Sequence, residues 1–228
     1  MNARWPLDGL LWFLARPWLW LRPLAVHALA LMALLGVAVA TSWWAWPAEG
    51  SWWSILLRAC GAVTLGLVAA IAAWAVLVPL LLALVLDSLA EAVFRARGLP
   101  PVTVPVAHSV AAGVGVLVRT LPLRLRWLAV GLASLLLGPF GPFIAAYALA
   151  RVAVVDATDI AFGVRGLAMD ERMALYRERR GELRVAALSA GALQIGLALT
   201  FVGWLFWMPG LVCGAALRIS ADADPSRR

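Results

Sequence analysis

The sequence predicts an all-α integral membrane protein: two long transmembrane helices, two half-penetrating (re-entrant) helical hairpins, and amphipathic surface helices. Three observations carry that expectation. The 228-residue chain is 64% hydrophobic with a mean hydropathy of +0.92, well above the apolar share of a soluble domain. Several apolar runs reach the roughly 18 residues a membrane helix needs. Two of the later runs are broken near their centres by proline and glycine, which an undisturbed helix does not tolerate. The chain, residues 1–228, reads as a single multi-pass membrane domain.

The elements follow in chain order. Residues 6–22, PLDGLLWFLARPWLWLR, are interrupted by Arg16 and Pro17. Their mixture of tryptophan, leucine and arginine suits a helix lying in the headgroup plane. The first span is 23–46, from Arg22 at one surface to a belt of Trp43, Trp44 and Trp46 at the other. Ala38-Val39-Ala40 imitates a signal cleavage site, but the charged region before it is too long and too rich in tryptophan, so the segment is expected to remain. A short loop leads to the second span, 55–86, which exceeds what a bilayer requires and is expected to tilt, with a kink at Pro79. Residues 87–126 read as a surface-lying cytoplasmic region: DSLAEAVFRARG is amphipathic, LPPVTVP is a proline-rich linker, and a weakly apolar stretch ends at Arg119. Hairpin 1 is 127–153, a charged cytoplasmic connector is 154–184, hairpin 2 is 185–219, and a tail is 220–228.

Arginine placement argues for the hairpins. If 127–150 crossed the bilayer fully, the following connector would lie opposite the 87–126 region. Arg151, Arg165, Arg172, Arg177, Arg179, Arg180 and Arg184 would then be exported, against the bias of basic loops toward the cytoplasm. Reversal at Gly138-Pro139-Phe140-Gly141-Pro142 removes the conflict, because residues 127–137 as helix reach only about 16 Å. A second reversal is expected between Gly203 and Pro209-Gly210. Pro142 and Pro209 then stand as first residues of returning helices, where a missing donor costs nothing. The free amides at Phe143 and Gly210 would offer partial positive charge to an anion near the bilayer midplane.

The formal charge is +7, and all nineteen basic residues are arginine. Codon bias in a GC-rich genome gives this result; so does a preference for fixed, bidentate anion contacts. Cys60 and Cys213 fall inside apolar runs and read as packing residues, with no disulfide framework and no metal-ligand spacing to a histidine. His27 and His108 are isolated. No Gly-x-Ser-x-Gly, P-loop, His-Glu-x-x-His or dinucleotide fingerprint occurs, so neither catalytic residues nor a cofactor is expected.

Other constellations are read more plainly. Asp156 and Asp159 share a helical face, with Arg151 and Arg165 within reach; a salt-bridged connector is favoured over an acid/base pair. DERMALYRERRGELR reads as a cytoplasmic helix of interspersed charge, with Glu178 and Glu182 near Arg184. Its near balance argues against nucleic acid, while its arginines suit anionic lipid headgroups. Arg58 either snorkels to the outer interface or gathers anions there. Glu91 with Arg95 or Arg97 forms either a buried network at the cytoplasmic mouth or a surface pair.

From Val154 onward the chain resembles the CysZ-type sulfate permeases and the related etoposide-induced membrane proteins. The resemblance rests on VVDATDIAFGVRGLAMDERMALYRERRGELR, on AGAL at 190–193 and most specifically on MPGLVCGAALRI at 208–219. GPFGPF falls where that family turns at Pro-Gly, and LAEAVFRARG where it has an acidic-basic helix. The resemblance implies a fold of two spans and two hairpins, homo-oligomers of an inner-membrane permease, and passage of sulfate down its gradient into assimilation. A family Pro-x-x-Asn is replaced here by Phe201 and Trp204, and the arginines of its Pro-Gly-(Leu/Ile)-Arg-Arg motif by Trp20 and Leu21, with Arg16 and Arg22 close by. The expected function is therefore passage of sulfate or a similar small oxyanion without nucleotide coupling. The alternative is a non-transporting membrane scaffold of the same fold.

Overall fold

The structure, a computed structural model, describes residues 4–44, 51–99, 102, 106–200 and 203–223. Expectations concerning Trp46, the loop at 47–50, most of LPPVTVP, Phe201 and the last residues of the tail lie outside that set, as do those on the side chains of Pro79, His108, Arg119 and Trp204. The described residues are almost wholly helical. Eight α-helices run α1 Trp5–Leu14, α2 Pro17–Trp44, α3 Trp52–Ala96, α4 Val106–Ser134, α5 Gly141–Val164, α6 Met169–Glu178, α7 Arg180–Ala198 and α8 Trp204–Asp222, with a 3-10 turn at Leu135–Phe140. Among the described residues three segments are long and apolar enough to cross a membrane: Pro17–Trp44, Trp52–Ala69 and Leu136–Val164.

Two compact units form, Leu21–Val85 and the remainder, Met1–Trp20 with Leu86–Arg228. In the first, small residues let two helices approach closely. Ser42 on α2 donates to the Ala62 carbonyl on α3 at 3.3 Å, and a Cβ at Gly66 would collide with the Ser42 side chain and the Ala38 carbonyl. Few of the remaining side chains are buried in either candidate span. Leu35, Leu57, Leu67, Trp43 and Trp44 stand exposed, an apolar surface that suits hydrocarbon and its interfacial belt.

The second unit is densely packed. Proline sits in the first turn of α1, where it costs no hydrogen bond. Trp5, Gly9, Leu10 and Phe13 recur at helical spacing along the face of α1 that meets α8. A Cβ at Gly9 would collide with the Gly214 backbone and the Gly210 carbonyl, and one at Gly214 with the Trp5 carbonyl. Backbone therefore touches backbone along a Gly-x-x-x-Gly face. The long helix α5 packs against α4, α7 and α8 at once, and Val154, Ala157, Ala161 and Phe162 are fully or nearly buried there.

Several predicted boundaries shift. The expected 6–22 helix is two pieces, because the Pro17 ring clashes with the preceding turn; α1 stops at Leu14 and α2 begins at Pro17, carrying Arg22 in its second turn. The helix of the second span continues through 87–96, and 106–134 is one helix rather than a surface segment followed by a hairpin arm. Helix α5 extends well past 153, so the connector 154–184 becomes the end of α5, all of α6 and the start of α7.

The first interruption lies where the prolines and glycines place it. Gly138 adopts φ 57°, ψ −130°, a combination open essentially to glycine. Ser134 closes the turn by donating to the carbonyls of Gly131 at 2.7 Å and Gly141 at 3.0 Å. Pro142 occupies the first turn of α5. The second interruption falls earlier than expected. Helix α8 begins after Gly203, and Pro209 lies inside it, fully buried. Ahead of this start the Thr200 hydroxyl accepts from the Gly203 amide at 3.1 Å and donates to Leu197 O at 2.7 Å.

Candidate functional site

The predicted anion residues are spread over both units. Arg16 folds back on α1, donating to Trp12 O at 3.0 Å with its guanidinium 3.9 Å from the Trp12 ring centroid; it caps that helix end. Arg22 and Arg58 are exposed and belong to the 21–85 unit. Phe143 is exposed near the start of α5. Gly210 is interior to α8, so it offers no open helix end; it gives Leu10 of α1 room to approach. Glu91 and Arg95 form an exposed i,i+4 pair at 2.6 Å, and Arg97 is exposed, so this group is a surface pair and not a buried mouth network. Gly138, Pro139, Gly141 and Pro142 do share one turn, and Gly203 caps α8.

A different cationic group stands out between α4, α5, α6 and α7. A cavity of about 280 Å³ is lined by Arg151, Arg177, Arg180, Tyr176 and Thr120, with apolar wall from Leu123 and Val155 among others. Arg151 is only 7% exposed, yet its Nε and Nη1 are buried without a hydrogen-bond partner. Its guanidinium lies 5.5 Å from the Trp127 ring centroid, within cation–π range. Trp127 is held edge-on by Tyr147, with ring centroids 5.5 Å apart. Arg177 and Arg180 are exposed at the rim. Arg177 Nε reaches only Met173 O of its own helix, at 3.3 Å.

The nearby carboxylates are committed elsewhere. Asp156 accepts from Arg124, with one contact at 3.1 Å, and Asp159 accepts from Arg172 and from the Tyr176 hydroxyl, each at 3.2 Å. Arg172 is itself buried and donates to Leu167 O at 2.9 Å. Burial and the Asp159 charge raise the Tyr176 pKa well above the usual range, so the phenol stays a neutral donor. The two aspartates are salt-bridged, as the sequence suggests, but through Arg124 and Arg172 rather than Arg151 and Arg165. Arg165 lies 5.7 Å from the Phe94 ring centroid instead. Glu182 binds Arg218 at 2.7 Å.

This leaves Arg151, Arg177 and Arg180 without a carboxylate partner among the described residues, and the like charges of Arg180 and Arg184 bear on Arg151. A buried, uncompensated ion costs several kcal/mol, whereas a guanidinium given an oxyanion forms short charge-assisted hydrogen bonds. The arrangement is equipped to accept an anion. Sequence reasoning places Arg151 only among the connector's charges, because the cavity depends on helices that meet in space. Among the described residues no group of three or more His, Cys, Asp or Glu side chains could hold a metal ion. Comparison with known proteins finds no matching family model, no similar curated protein and no similar solved structure.

Proposed function

We propose that this chain is a multi-pass protein of the bacterial inner membrane that passes sulfate or a similar small oxyanion, without nucleotide coupling, as a homo-oligomer. The observation that carries the reading is Arg151: a buried guanidinium without partners at two nitrogens, facing a cavity rimmed by two more arginines. A buried charge left uncompensated is costly, and its cost is relieved by a bound anion. The choice of sulfate rests on the resemblance of residues 154–219 to the sulfate permeases. In this reading the chain reverses within the bilayer at 138–142 and again ahead of α8, where irregular backbone is tolerated only when protein or a wet cavity covers it. Both connectors then share the cytoplasmic face with their arginines.

Sulfate flux into proteoliposomes tests the proposal. Uptake above that of empty vesicles, independent of added nucleotide, is the expected result. Equal uptake with and without the protein overturns it and favours the non-transporting scaffold.

A further inference from the structure

We infer that the cavity between α4, α5, α6 and α7 is a binding site for one tetrahedral oxyanion of the sulfate and phosphate class, with Arg151 as the buried donor and Arg177 and Arg180 as the rim. The ligand is either a free ion or a phosphomonoester presented by a lipid headgroup. This rests on the anion-accepting reading of the same site, but not on passage across the membrane.

Charge, geometry and volume each support the assignment. Three arginines from three helices line one cavity, and the neighbouring Asp156 and Asp159 are already neutralised by Arg124 and Arg172. The Nε and Nη1 donors of Arg151 are buried with nothing to bond, while its ring contact with Trp127 fixes the guanidinium without consuming a donor. A tetrahedral oxyanion offers four separate acceptor oxygens, so donors arriving from different directions can be satisfied together. A halide offers one centre. Arginine forks also match such oxygens better than ammonium groups would.

The cavity, at about 280 Å³, has the volume of roughly nine liquid waters at about 30 Å³ each. One oxyanion therefore enters with part of its hydration shell, or a headgroup enters with the start of its glycerol. Arg151 takes the inner side and water or the rim arginines take the outer side. Bound ligand would touch α5, α6 and α7 simultaneously and so raise the stability of the bundle.

The test uses the full chain in detergent, exchanged into sodium gluconate. Sodium sulfate, sodium phosphate and sodium chloride are added at matched ionic strength, and the thermal midpoint is followed. In parallel, native mass spectrometry scores retention of phosphatidic acid against phosphatidylcholine. We expect sulfate or phosphate to raise the midpoint beyond chloride. Arg151→Met should abolish that shift while raising the midpoint of the ligand-free protein, since it replaces an uncompensated buried charge by an apolar chain. Arg180→Gln, at the exposed rim, should keep the fold and weaken the affinity by about tenfold; it decides the matter if Arg151→Met does not fold. Selective retention of phosphatidic acid, lost in Arg151→Met, with no effect of inorganic ions supports the site and identifies the lipid as its source. Equal shifts in wild type and variants, or no response to any probe, would overturn the assignment. Binding without flux would sink the permease reading alone.

Discussion

At Asp87, in the last third of α3, burial and the negative charges of Glu91 and Asp159 push the carboxyl pKa from 3.8 to about 6, against the pull of Arg172. The folded chain thus keeps a proton that the unfolded chain has already released. Stability attributable to this group falls as the pH rises from about 4 to about 6 and stays lower above that. Asp87→Asn should flatten this slope and exceed wild type in stability at neutral pH, as thermal midpoints across the range will show; parallel profiles would refute the assignment. Asp222 behaves oppositely. Burial works against its charge, yet hydrogen bonds from Arg218 and Arg179 hold its pKa below 3.8, so its contribution is present at neutral pH and lost in acid. Single residues like these were only half legible. The shared face of Asp156 and Asp159 follows from their spacing, but their partners, Arg124 and Arg172, lie on other helices and no local rule selects them.

Among the helices, the turn before α5 and the turn before α8 teach different lessons. Gly138 and Pro142 announce the first, because one supplies a positive φ and the other fits a helix start. Pro209 misleads at the second. Its buried position within α8 shows tertiary packing overriding a local breaker, while the helix starts after Gly203, the quieter signal. Gly138→Ala should cost about 1–3 kcal/mol through backbone strain. For the α1–α8 contact, Gly9→Leu should destabilise the protein by about 3 kcal/mol or more, since the backbone opposite cannot yield. Gly36→Leu is the control, because a Cβ there meets nothing within 4 Å. Unfolding midpoints of the three variants in detergent check both statements; equal effects of Gly9→Leu and Gly36→Leu would remove the case for a close crossing.

For the molecule as a whole, the helical class and the membrane-length segments were readable from hydropathy alone. The cavity was not, because Arg151 and Arg177 stand 26 positions apart and meet only after α5 and α6 pack. The proposed topology makes one firm statement. Single cysteines introduced as Arg95→Cys and Glu178→Cys, in a chain whose Cys60 and Cys213 are replaced by alanine, should label from the same side of a sealed vesicle. Labelling from opposite sides would turn α5 into an ordinary crossing, which its 24 residues, about 36 Å of helix, are long enough to make.

The glycine-to-glycine seam between α1 and α8 also sets a timetable for synthesis. Gly9 and Gly214 are 205 positions apart, and at about 5–20 residues per second the ribosome needs roughly ten to forty seconds to deliver the second after the first. Throughout that interval the opening helix has no mate, and a lipid surface or a chaperone must shelter Trp5, Leu10 and Phe13 until the closing helix arrives.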